Sequence, residues 1–176
     1  MRKDIACGLG PRTTCAAGAL LACTALLGCP ADPEATAWRQ VDLWMAAPQA
    51  ARRMFNTAQG RAVRSLPARS GQILRFPLEL ATRPLFFFRP VTDQGTACRF
   101  DVAFADTGGT SDPLYSELHR ATGPTLPKVI SVDLSAHAGK RGTLQLQVAN
   151  APDTDCAAHW ASPRVIDAIP LQRKPR

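Results

Sequence analysis

The chain has 176 residues, 45% of them hydrophobic, with 21 Lys+Arg against 14 Asp+Glu and a formal net charge of +7. The basic excess is modest and no RNP, helix-turn-helix or zinc-finger pattern accompanies it, so nucleic acid is not an expected partner. Three Trp and one Tyr are too few for an extended stacking platform, and any site built on them is expected to be small.

Arg2, Lys3 and Arg12 precede an uncharged Ala/Leu-rich stretch from Thr13 to Gly28, the charged n-region and apolar h-region of an export signal. Pro30, Asp32, Pro33 and Glu34 stop the run short of the roughly 20 apolar residues that a bilayer span needs, so residues 1–28 are read as a cleaved signal peptide. The run closes on Leu26-Leu27-Gly28-Cys29. That lipobox resembles those of bacterial lipoprotein precursors, whose cysteine takes a diacylglyceryl group on sulfur and an N-acyl chain after cleavage. The resemblance implies lipidation of Cys29 and a membrane partner reached through that anchor. At about 0.8 kcal/mol per buried methylene, several acyl chains hold firmly where one does not. It also implies a place in the bacterial cell envelope. Pro30, where Asp would signal inner-membrane retention, favours the outer membrane facing the periplasm. The alternative is an ordinary secretory signal cut near Ala31.

Removing residues 1–28 lowers the net charge to +5 and takes away Cys7, Cys15 and Cys23. With Cys29 lipidated, Cys98 and Cys156 remain, and in an oxidising compartment they are expected to form one disulfide. Its loop of about 59 residues gives roughly 4 kcal/mol in the chain-entropy model. No Cys-x-x-Cys is present to suggest a redox pair.

Residues 29–40, rich in Pro, Ala and acidic side chains at their start, read as a tether. Residues 41–65 read as a short helix and connecting arm: Leu43, Ala47, Ala50, Ala51 and Met54 have helical spacing from Val41 to about Phe55. Trp38 and Trp44 are expected to pack on the domain. Residues 66–170 read as strands. Leu74, Phe76, Leu78 and Leu80 alternate with Arg75 and Glu79, Phe100, Val102 and Phe104 with Arg99, Asp101, Ala103 and Ala105, Ile130, Val132 and Leu134 with Ser131 and Asp133, and Leu144, Leu146 and Val148 with Gln145 and Gln147. Leu85–Phe88, Leu114–Arg120 and Trp160–Ile169 complete seven or eight strands. Ser135 is placed to cap a one-turn insertion that Gly139 ends with a positive φ. Turn clusters such as Asp106-Thr107-Gly108-Gly109, without long helices between, predict a mainly β fold, an antiparallel jelly-roll-like β-sandwich. Residues 171–176 form a basic tail, in which each basic residue near anionic head groups would add about 1 kcal/mol of attraction.

Val132-Asp133-Leu134-Ser135 with Gly139, Leu144-Gln145-Leu146, and Trp160-Ala161-Ser162-Pro163-Arg164-Val165 resemble the C-terminal half of galactose-binding-like, or NPCBM-like, jelly-roll modules. The resemblance covers about residues 70–170 and implies the sandwich fold. The chain departs from the pattern at Cys156-Ala157-Ala158, where an acidic–aromatic pair usually precedes the final Trp. Trp160, Arg164, Tyr115 and Asp133 are the candidate ligand-binding residues. The residues themselves favour a structural reading over that one: Trp160 with Pro163-Arg164 closes one end of the sandwich, its ring in the core and Arg164 free to pair with Asp133 or a turn carboxylate.

Asp106 and Asp112 bracket a turn with the oxygen density of a calcium site, although such turns form without metal, and no cofactor is expected. His119, His137 and His159 stand singly, and neither Gly-x-Ser-x-Gly nor His-Glu-x-x-His occurs, so catalysis is not expected. The resulting expectation is a lipid-anchored envelope protein with a non-catalytic binding or adaptor domain for a protein or glycan partner. The alternative is a tethered carbohydrate-binding module.

Overall fold

A computed structural model describes residues 36–57, 60–93, 96–120, 126–150 and 156–170. The signal peptide, Cys29 and the tail 171–176 lie outside the described residues. Among those described, the strands are β1 Thr36–Asp42, β2 Arg53–Asn56, β3 Ala62–Arg69, β4 Ile73–Glu79, β5 Leu85–Thr92, β6 Ala97–Asp106, β7 Ser111–Arg120, β8 Ile130–Asp133, β9 Arg141–Asn150 and β10 Ala157–Pro170. All pairings are antiparallel. One sheet runs β2-β3-β10-β5-β8, with β1 also on β10; the other runs β4-β9-β6-β7.

The period-two pattern decides which faces meet. Cys98, Phe100, Val102 and Phe104 of β6 and Leu144, Leu146 and Val148 of β9 are buried, facing Phe86 and Phe88 of β5 and Trp160 of β10. The Trp160 ring bridges the layers, 4.7 Å from Phe88 in its own sheet and 4.9 Å edge-to-face from Phe100 in the other. At Gly142 the neighbouring strand β6 of the same sheet comes so close that a Cβ would overlap the Ala105 carbonyl and the Phe104 ring. The Cys98–Cys156 disulfide forms as expected, with Cα atoms 5.6 Å apart, tying β6 to the residue before β10.

The N-terminal part departs from the expected helix. Only Leu43–Ala46 is α-helical (α1), capped by Asp42 Oδ1, which accepts the Trp44 N–H at 3.0 Å. Pro48 keeps Ala47 in the extended region and supplies no donor, so the helix stops; a 3-10 turn follows at Gln49–Ala51. The helical spacing that reaches Met54 is coincidental, because Arg53–Asn56 pair instead with Ala62–Ser65. Three strands therefore stand where sequence suggested tether and arm: β1, β2 and β3. The β8–β9 turn is also held differently: its 3-10 helix Ser135–His137 has no side-chain cap, and Asp133 Oδ1 instead accepts the Ser135 N–H at 2.8 Å. Gly139 has the expected positive φ, 75°. No helix among the described residues is long and apolar enough to cross a membrane.

Candidate functional site: a cleft at the β10 bulge

β10 carries Pro163 in its middle, which has no N–H to give a ladder. Pairing with β3 ends at Ala161↔Ser65, pairing with β1 begins at Arg164↔Asp42, and the register with β5 shifts between Ala161 and Arg164. Because β1 and β3 share one flank of β10, the bulge leaves a gap between them. Ser162 sits there at φ 51°, the one non-glycine residue with positive φ among those described. That conformation costs on the order of 1 kcal/mol, and such strain concentrates where a fold positions a site.

The gap is a cleft of about 310 Å³ whose polar lining comes from Gln40 and Asp42 of β1, Arg64 of β3, and Ser162 and Arg164 of β10. Arg64 Nη1 donates to Asp42 Oδ2 at 2.7 Å, and its guanidinium stands 5.0 Å from the centroid of the Trp44 ring. The indole is held in turn by its Nε1–H, which donates to the Arg53 carbonyl at 3.1 Å. Arg164 lies over Phe87 of β5, 5.7 Å from the ring centroid, and has no carboxylate partner among the described residues. Donors and one carboxylate thus converge on a volume at the lower end of the roughly 300–1,000 Å³ typical of small-ligand sites. A second hollow of about 480 Å³, lined by Pro48, Ala50, Ala51, Pro67 and Ala68 with Arg53, Arg69 and Gln72 at its edge, offers fewer directional groups.

Of the residues singled out in the sequence, Arg164 alone is at this cleft. Trp160 is fully buried, which removes it as a stacking surface. Tyr115 faces the interior from the edge strand β7, edge-on to Phe88 at 5.6 Å. Its hydroxyl is 2.6 Å from His119 Nε2 and donates to Glu117 Oε2 at 3.1 Å. Burial first, then the Glu117 hydrogen bond and charge, keep that phenol protonated well above its ordinary range. Asp133 is bound to the Ser135 turn, whose hydroxyl and N–H hold its carboxyl below the usual range, and it makes no ion pair with Arg164. Gln40, Asp42 and Arg64 carry no pattern in the sequence that marks them as site residues; Pro163 within a strand run is the one sequence signal for the bulge.

Asp106 and Asp112 do not converge. Asp106 Oδ1 accepts the N–H groups of Gly108 and Thr110 at 2.9 and 3.2 Å, while Asp112 Oδ2 lies 3.1 Å from His137 Nε2, without the alignment of a hydrogen bond. Among the described residues no three His, Cys, Asp or Glu side chains gather as metal ligands. Ser65 Oγ stands 3.4 Å from His159 Nδ1, with Asp93 acting on that histidine through its charge, but Ser65 is fully buried.

No protein-family model matches this chain, and no curated protein matches it. Among solved structures, the chain is similar to the C-terminal CBM6 of LamC, a laminarinase from Zobellia galactanivorans: TM-score 0.48, 11% identity, 74% of this chain and 99% of that one. It is also similar to the carbohydrate-binding module CBM6cm-2 of lichenase 5A from Cellvibrio mixtus, solved with cellotriose: TM-score 0.45, 13% identity, covering 73% and 95%. A third is the CBM36-1 domain of a multidomain xylanase from the hindgut metagenome of Trinervitermes trinervoides: TM-score 0.45, 13% identity, covering 77% and 100%.

Proposed function

We propose that this chain is a non-catalytic carbohydrate-binding domain held at the bacterial cell envelope by lipid on Cys29, on the outer membrane facing the periplasm, with the β10 cleft as the saccharide site. The observation that carries the reading is the convergence of Arg164, Gln40, Ser162 and the Asp42–Arg64 pair on one small cleft. Sugar hydroxyls act as donors and acceptors together, and a site of fixed guanidinium, amide and carboxylate groups satisfies both. Arg164 is the main binding group, because Arg64 is already engaged by Asp42. Its guanidinium rests over Phe87 of β5, on the other flank of β10 from β1 and β3.

The test is a glycan array probed with the mature chain and with Arg164→Ala. Saturable binding by the parent, lost in the variant while its melting temperature is kept, supports the site. Silence of the parent across the array removes the saccharide reading and leaves the protein-partner adaptor. For the anchor, Cys29→Ser should release the processed protein from membranes; continued pelleting of that variant contradicts lipidation.

A further inference from the structure

We infer that the saccharide of the β10 cleft is an acidic one, carrying a carboxylate or sulfate group, and that it lies along β1 from the cleft to Trp38. The inference rests on the reading of that cleft as a saccharide site.

The hydrogen bonds carry the argument. Asp42 Oδ1 accepts the Trp44 N–H at 3.0 Å and Oδ2 accepts Arg64 Nη1 at 2.7 Å, so the one carboxylate lining the cleft is engaged through both oxygens and neutralised. Donors are left over. The Arg64 side chain is 53% exposed, and its Nε and Nη2 have no partner among the described residues. The Trp44 ring, its centroid 5.0 Å away, backs the guanidinium. That open Nε–Nη2 edge is a fork matched to two oxygens of one anionic group, which a single hydroxyl cannot supply. Trp38 extends the site. Instead of packing on the domain it is 66% exposed, and it lies two residues, about 7 Å, from Gln40 on the face of β1 opposite to the core-packed Val41. Its indole gives the C–H face of a neighbouring sugar ring a surface to stack on.

Charge on the elements bordering the cleft agrees. Arg39 of β1 is balanced by the buried Asp167 at 3.3 Å, as Arg64 is by Asp42. Arg52, its guanidinium 5.3 Å from the Trp44 centroid, donates to the Ala47 and Met45 carbonyls, and Arg53 to those of Ala50 and Arg52. Arg52, Arg53 and Arg164 therefore have no carboxylate partner among the described residues. The other described acids lie elsewhere. Asp133 is reached from Gln40 through Ile166 and Leu85, three strand spacings or about 14 Å. Asp93 binds the Ala157 carbonyl through its N–H, five residues or about 17 Å along β10 from Ser162. Glu79, Asp101, Asp106, Asp112 and Glu117 belong to the second sheet, where Arg141 engages Glu79 at 3.1 Å. The surplus cations act on the cleft over about a Debye length and favour an anion there.

The experiment titrates the mature chain, by calorimetry and backbone amide NMR, with oligogalacturonate, with the neutral oligomer made by reducing its carboxyl groups, and with a sulfated form of that neutral oligomer. At least one acidic oligomer should bind about tenfold or more tighter than the neutral one, with affinity falling as salt rises from about 0.02 M to about 0.5 M. Which of the two binds tells carboxylate from sulfate. Shift changes should centre on Gln40, Arg64 and Ser162. Arg64→Gln should lose about tenfold in affinity and Arg64→Lys, which keeps the charge without the fork, less; Trp38→Ala should weaken binding with its fold kept. Equal binding of the neutral oligomer at the same amides overturns the acidic ligand and leaves the saccharide reading standing. Silence toward both acidic oligomers, or equal binding of poly-glutamate, overturns it too, and the glycan array then decides whether the saccharide reading survives.

Discussion

The Trp160 indole meets the Phe100 ring edge-to-face at 4.9 Å, across the two sheets, and neither ring is exposed to solvent. Trp160, named in the sequence as a ligand candidate but favoured there as a core residue, is therefore the centre of the core. Trp160→Ala should cost about 3–5 kcal/mol in chemical denaturation, the range for emptying a buried large aromatic site. Trp160→Phe should cost less and leave glycan binding intact, measured below both melting temperatures. Loss of binding by a folded Trp160→Phe would contradict its purely structural place.

The disulfide joins the β6 sheet to the start of β10 across a sequence separation of 58. Cys98→Ser should lower stability by roughly 4 kcal/mol in oxidising buffer. In reductant the parent should fall to the level of the variant, and equal melting of the two in both buffers would remove the bond from the account.

Ser162 stands at φ 51°, a conformation open to glycine without cost. Ser162→Gly should hold or raise stability, by up to about 1 kcal/mol, while the β-branched Ser162→Val should lower it by about 1–2 kcal/mol. Thermal melts of the two variants check the sign; a stabilised valine variant would mean that the bulge relaxes away from this geometry.

His159 and His119 are both held below the ordinary imidazole range, in each case chiefly by burial and against an opposing carboxylate, Asp93 and Glu117. The unfolded chain, with imidazoles near pH 6.5, takes up protons before the folded one does. Stability should therefore be full above about pH 7.5 and decline as pH falls through about 6.5 towards the lower folded-state values. Melting temperatures from pH 8 to pH 5 should show this decline, and His119→Gln/His159→Gln should flatten it. An unchanged slope in the double variant would assign the decline to other groups.

The sandwich was legible because its central strands are half-buried: Phe100, Val102 and Phe104, and Leu144, Leu146 and Val148, each declare one inward face. The cleft was not, because its walls come from segments without that signature. Gln40 and Asp42 lie in a strand whose place is set by pairing with β10, and Arg64 in one that runs from exposed Ala62 into buried Leu66. A helical spacing over Leu43, Ala47 and Met54 competed with β2, and the pairing of Arg53–Asn56 with β3 decided the outcome. Pro163 marked the bulge, but only the register of β1 and β3 makes the bulge a site.

The most direct measurement is a backbone amide NMR titration of the mature chain with a saccharide bound on the array. Shift changes concentrated at Gln40, Asp42, Val63, Arg64, Ser162 and Arg164, saturating together and absent in Arg164→Ala, are the predicted result. Saturable changes centred on β7 around Tyr115, or on the hollow between Pro48 and Pro67, would contradict the cleft as the saccharide site.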